Sequence, residues 1–198
     1  MRTAISCFLF LIILTATARA QDDPKLSAPF GLAWGISVAD VKALGVELTE
    51  TAEKEFGASF SATKLPKVLT DAQTIYLFFG LKDRLWRIAV VSRAFENDPS
   101  GSNVLARYDE LATVLTEKYG KGKSVHQLYD RSEQKDFLMW VSSGRSQWYT
   151  NFDTKDVFIQ LGVLAPDLNT GFWRILIEQK SLRIDFEKDK RLSEKGTL

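Results

Sequence analysis

Cysteine and histidine are almost missing from this 198-residue chain, which has one of each, Cys7 and His126. A single thiol excludes an internal disulfide, and a single imidazole excludes a metal site built from several Cys and His ligands. No spaced acidic calcium loop takes their place, so the sequence predicts no metal and no cofactor. Long hydrophobic runs are missing too. The apolar stretch Phe8–Leu14 falls far short of the ~20 residues needed to cross a bilayer, so no membrane-spanning helix is expected. Charge of one sign is also lacking, with 26 Lys+Arg against 25 Asp+Glu, interleaved as in Glu187-Lys188-Asp189-Lys190-Arg191. Nothing in that pattern steers the chain toward a nucleic-acid backbone.

The chain opens with Arg2, the greasy run Phe8–Leu14 and the small-residue exit Ala18-Arg19-Ala20, followed by the polar Gln21-Asp22-Asp23. That order is the pattern of an export signal over residues 1–20, cleaved after Ala20, and it predicts a periplasmic or secreted protein. A lipid anchor would require a cysteine after the apolar run, whereas Cys7 comes before it. Loss of Arg2 and Arg19 leaves 24 basic and 25 acidic residues and no cysteine at all. A chain of this length buries enough surface to fold without disulfides. Its aromatic content of 12% supplies large side chains for a core.

Downstream, Phe30-Gly31-Leu32-Ala33-Trp34-Gly35 reads as an extended piece and a turn. Ser37, with Asp40 three residues on, then caps a short helix through Val38, Val41 and Leu44 that ends at Gly45. Strands are predicted at 46–49, 59–64, 74–79 and 85–95, the last two joined as a hairpin. The cluster of turn formers at 97–102 marks a boundary. Beyond it, Asn103 is placed as the cap of a long helix whose apolar residues run from Val104 to Tyr119, closed by Gly120. Further strands are predicted at 137–141, 147–152, 157–163 and 172–179, with 142–145 as a hairpin turn and a charged, helical or frayed tail. The expected class is α+β, antiparallel strands packed by helices. Its units are 21–96 and 103–198, as two tandem helix-plus-sheet units or as one continuous domain.

Catalytic motifs fail on context. Gly122-Lys123-Ser124 lacks the earlier glycine and the strand-then-helix setting of a phosphate loop. Ser61-Ala62-Thr63-Lys64 matches the Ser-x-x-Lys pattern without its partner motifs. A serine triad would have to use His126, and no Gly-x-Ser-x-Gly elbow is present. The acids Asp153 and Asp156 read as solvated. No catalytic residue is assigned, and a non-enzyme is expected.

The aromatics carry the remaining signal. Trp34, Trp86 and Trp173 stand in register with core neighbours, whereas Trp140, Tyr149, Phe158 and Phe172 fall on the opposite face of the predicted strands. Either helices cover both sides of the sheet, or these four form an exposed strip that binds a partner.

Phe30-Gly31-x-x-Trp34-Gly35-x-Ser37-x-x-x-Val41, together with Tyr108-x-x-Leu111-x-x-x-Leu115-x-x-Lys118-Tyr119-Gly120, resembles motifs of a loose set of exported, uncharacterised proteobacterial proteins. The Trp-Gly-x-Ser turn into a helix is also similar to an element of the SmpA/BamE-type outer-membrane lipoproteins. The resemblance implies a periplasmic location and an α+β fold, and brings no catalytic residues. The expectation is a non-enzymatic binding protein that contacts a protein or envelope component through an aromatic sheet face, with inhibitor or immunity roles as concrete versions. A small carboxylate- or Ser/Lys-dependent hydrolase and a lipid or small-ligand carrier are the alternatives.

Overall fold

The computed structural model describes residues 27–129 and 134–196. The leader, its cleavage point and Cys7 lie outside them. Alternating sequences build eight strands: β1 (Glu47–Glu50), β2 (Ala58–Thr63), β3 (Ala72–Phe79), β4 (Leu85–Ser92), β5 (Lys123–Gln127), β6 (Gln147–Asp153), β7 (Val157–Leu164) and β8 (Phe172–Gln179). They form one sheet in the order β1-β2-β3-β4-β8-β7-β6-β5, with every neighbouring pair antiparallel. Each half is a four-strand meander, and the two meet where β4 pairs with β8, from Arg87 opposite Glu178 to Val91 opposite Arg174.

Four helices accompany the sheet: α1 (Val38–Ala43), α2 (Ser102–Tyr119), α3 (Phe137–Ser142) and α4 (Lys180–Lys195). Ser37 caps α1 as expected, its hydroxyl accepting the Asp40 N–H at 3.1 Å and donating to the Asp40 carboxylate at 2.7 Å. The cap of α2 differs from the expectation. Its N-cap is Gly101, with φ +66°, and Asn103 instead donates its backbone N–H to the Asp98 carboxylate at 2.7 Å. Asp98 also accepts from the Ser100 and Ser102 hydroxyls, at 2.7 and 3.0 Å. Burial pushes this carboxyl up, but the Asn103 N–H and the two hydroxyls outweigh it and hold it below the ordinary carboxylate range.

Residues 137–141, read as a strand from sequence, are α3. The apolar run Phe-Leu-Met-Trp-Val carries no polar alternation, and its length fits a strand or a buried helical turn equally well. Here it buries the consecutive Phe137 and Leu138, which a strand would have sent to opposite faces. Gly144, with φ +73°, ends this helix, its N–H reaching the Val141 carbonyl at 3.0 Å. Residues 123–127 differ as well. No strand is expected there from the sequence, and they form the edge strand β5.

The core lies on one side of the sheet. Leu77, Phe79, Ile88, Val90, Ile159, Leu161 and Trp173 are 4% exposed or less and join one apolar cluster with Val41 of α1, Val104, Tyr108 and Leu111 of α2, Phe137 and Leu138 of α3, and Leu182 and Phe186 of α4. Trp86 of β4 stacks on Phe186 with ring centres 4.9 Å apart, and Phe137 meets the edge of Trp148 of β6 at 5.6 Å. Trp34, Trp86 and Trp173 are buried, as their register predicts.

Asp71, just before β3, joins the two halves on this side. Its carboxylate accepts two hydrogen bonds from Arg107 of α2, at 2.8 and 3.0 Å, and one from the Trp173 indole at 3.0 Å.

Candidate functional site: the open face of the sheet

Strand alternation fixes what the other face carries. Across β6, β7, β8, β4 and β3 one row reads Tyr149, Gly162, Arg174, Val91, Thr74. The row beside it reads Asn151, Gln160, Leu176, Ala89, Tyr76 and continues to Ser61 of β2. Phe158 lies opposite Asp153 and Glu178 toward one end, and Phe172 lies opposite Leu164 toward the other. Val125 of β5 extends the Tyr149 row to the edge. Most of these side chains are partly exposed. No helix among the described residues packs over them.

One corner is covered. Phe56, in the loop between β1 and β2, lies edge-on to Phe78 with centres 6.1 Å apart, and the Arg87 guanidinium sits 3.8 Å above the Phe56 ring. Beneath this lid Glu178 is 5% exposed and forms ion pairs with Arg183 at 2.9 Å and Arg87 at 3.6 Å. The longer contact lies beyond hydrogen-bond reach, and the buried Arg87 Nε has no hydrogen-bond partner among the described residues. Burial lowers the Arg87 guanidinium below its ordinary range, Glu178 opposes the shift, and Arg174 and Arg183 reinforce it. Arg174 is lowered by burial alone. Both remain charged at physiological pH.

Three polar side chains link neighbouring strands in the middle of the face. Arg174 donates to Gln160 Oε1 at 3.2 Å, and Gln160 donates through Nε2 to Asn151 Oδ1 at 3.1 Å. Comparison with family models, curated proteins and solved structures finds no match to this chain. The residues alone must therefore carry the functional reading.

Of the four residues singled out from sequence, Tyr149, Phe158 and Phe172 stand on this face. Trp140 does not. It belongs to α3 and packs against Tyr129 with ring centres 4.6 Å apart and the planes tilted by 37°, and the Arg145 guanidinium lies 5.6 Å from its ring centre. The polar and basic members Arg174, Gln160 and Asn151 were not singled out. The signal for Arg174 was the alternation of Arg174, Leu176 and Glu178 with the buried Trp173, Ile175 and Ile177.

The remaining motifs resolve into local contacts. Lys64 pairs with Glu47 of β1, while the Ser61 hydroxyl points to the Thr49 carbonyl at 3.4 Å. Asp153 pairs with Lys180, and the Asp156 carbonyl caps the Lys180 N–H. His126 is an edge-strand residue stacked on Trp148 with centres 4.0 Å apart, and its Nε2 lies 3.1 Å from the Tyr108 hydroxyl. That hydroxyl meets Thr150 Oγ1 at 2.6 Å, and Ser124 Oγ lies 2.8 Å from the same Thr150 oxygen. Burial lowers the His126 pKa, with Asp109 opposing, so the neutral ring is favoured. Thr150 and Tyr108 thus separate Ser124 from the imidazole, and the arrangement is a hydrogen-bonded tie between α2 and the sheet edge. Among the described residues no group of three or more His, Cys, Asp or Glu could hold a metal ion, and no helix is long and apolar enough to cross a membrane.

Hollows among the described residues lie on the helical side. One of about 490 Å³ is lined by Trp34, Tyr119, Val157 and Ile177 with Lys118 and Asp156. Another, of about 320 Å³, is lined by Leu105, Leu128, Phe137 and Trp148.

Proposed function

We propose that this chain is an exported, non-enzymatic binding protein that takes a partner protein on the open face of its sheet. One observation carries the reading: the packed helices and the core cluster occupy one side of the eight strands, and the other side is left with partly exposed aromatics. A sheet needs only one buried face for stability, so large apolar side chains on the second face serve no folding need. Tyr76, Tyr149, Phe158 and Phe172, set among Arg174, Gln160 and Asn151, have the composition of a protein interface, where aromatics and arginine concentrate the binding energy. Export rests on the leader sequence. An inhibitor or immunity role fits a broad, rigid face of this kind.

The test is capture from the envelope extract of the source cell, comparing the mature chain with Tyr149→Ala and Phe172→Ala. Each variant should melt within a few degrees of the parent and weaken capture by about 2 kcal/mol, roughly thirtyfold. A captured partner indifferent to both substitutions rules out this face.

A further inference from the structure

Arg174 stands near the centre of the open face, on one of the two strands that join the halves of the sheet. Among the described residues its guanidinium makes one hydrogen bond, to the neutral amide oxygen of Gln160. No carboxylate among the described residues pairs with it. The contrast with its neighbours on the same molecule is direct: Arg107 holds Asp71 and Glu110, Arg183 holds Glu178 and Glu187, and Arg87 faces Glu178. A guanidinium offers five donors in a planar fork. Here most find no partner among the described residues, on a side chain that is partly buried.

The surroundings set the sign and shape of what fits. Arg87, in the adjacent strand, adds a second positive charge, and the acids of the row that holds it, Glu178 and Asp153, are already paired, the first with Arg87 and Arg183 and the second with Lys180. The middle of the face is therefore positive. Directly across from Arg174 on β7 stands the buried Gly162, and beyond it Tyr149, so the arginine and the tyrosine flank one position with no side chain standing between them. The Asn151–Gln160–Arg174 chain is polarised, with Arg174 donating to Gln160 and Gln160 donating to Asn151. Its two ends thus present spare N–H donors about two strands, ~10 Å, apart.

Resting on the reading of the open face as a binding surface, we propose that Arg174 is the anchor for an aspartate or glutamate at the tip of a partner protein's loop, laid on the face beside Tyr149. Arg174 grips the carboxylate with two parallel N–H bonds, Asn151 donates to a loop carbonyl, and Tyr149 and Phe172 cover the flanks. Burial already lowers the charged form of Arg174, and an incoming carboxylate relieves that cost.

A phage-displayed library of hairpin loops, randomised at the tip and selected on the mature protein, tests this. Selected loops should be enriched in Asp or Glu at one tip position. Changing that acid to its amide should weaken binding at least thirtyfold. Arg174→Gln should cause the same loss on the protein side, Arg174→Lys a smaller one, and the two changes together should cost no more than either alone. The loop substitution is made in the peptide, so it remains decisive even if an Arg174 variant folds poorly. Loops that need Tyr149 but show no acidic preference overturn the anchor and leave the binding face standing. Loops indifferent to Tyr149, Phe172 and Arg174 alike overturn both. Failure to select any loop, or Arg174-dependent binding to phosphatidylglycerol vesicles alone, also rejects a protein carboxylate as the occupant.

Discussion

At the scale of single residues, Asp71 illustrates how a mostly exposed side-chain type becomes structural. Hydrogen bonds from Arg107 hold its carboxyl below the ordinary range, against the upward push of burial, and the Trp173 indole adds to the effect. Because the folded-state pKa lies below the unfolded one, the contribution is complete above pH ~4 and is lost as the pH falls through the folded value. Asp71→Asn should therefore destabilise by about 2–3 kcal/mol at neutral pH, the scale of hydrogen bonds to charged groups, and flatten the acid limb of the stability curve. Urea melts from pH 7 down to pH 2 would show both effects, and an unchanged acid limb would place the acid sensitivity elsewhere. Nothing in the sequence marks Asp71, because its two partners lie 36 and 102 residues away.

At the scale of elements, long periodic segments were legible and short apolar ones were not. Alternation located β3, β4, β6, β7 and β8 within a few residues, and the 3.6-residue period located α2. The cap at Ser37 could be read because all its partners lie within three residues. The run 137–141 could not be assigned, because five apolar residues satisfy a strand and a helical turn alike. Trp140 was misplaced in consequence, while Tyr149, Phe158 and Phe172, on correctly registered strands, were not. The two assignments of 137–141 predict different mutational costs. Leu138 is 0% exposed and Met139 is only partly buried. Leu138→Ala should thus cost about 2–5 kcal/mol and Met139→Ala clearly less, whereas a strand facing the core through Phe137, Met139 and Val141 would reverse the order. Thermal melts of the two variants decide between them.

At the scale of the whole molecule, the order of units in sequence suggested two helix-plus-sheet blocks but could not show how they meet. That information lies in the β4–β8 register, where partners such as Arg87 and Glu178 are some 90 residues apart. The other strand pairings connect sequence neighbours within one meander or the other. The seam therefore has a kinetic consequence. Each meander pairs strands that follow one another in sequence, whereas joining β4 to β8 must bring together more distant chain segments, a closure whose entropic cost grows with loop length. The seam should zip after the folding barrier, so Ile177→Val, opposite Ile88, should speed unfolding and leave refolding nearly unchanged, with a φ-value below about 0.3. A mainly slowed refolding limb in the chevron would instead put the seam in the nucleus. A chain that assembles in this order can leave the ribosome with its first meander formed, its β4 edge and half of its core still waiting for β8.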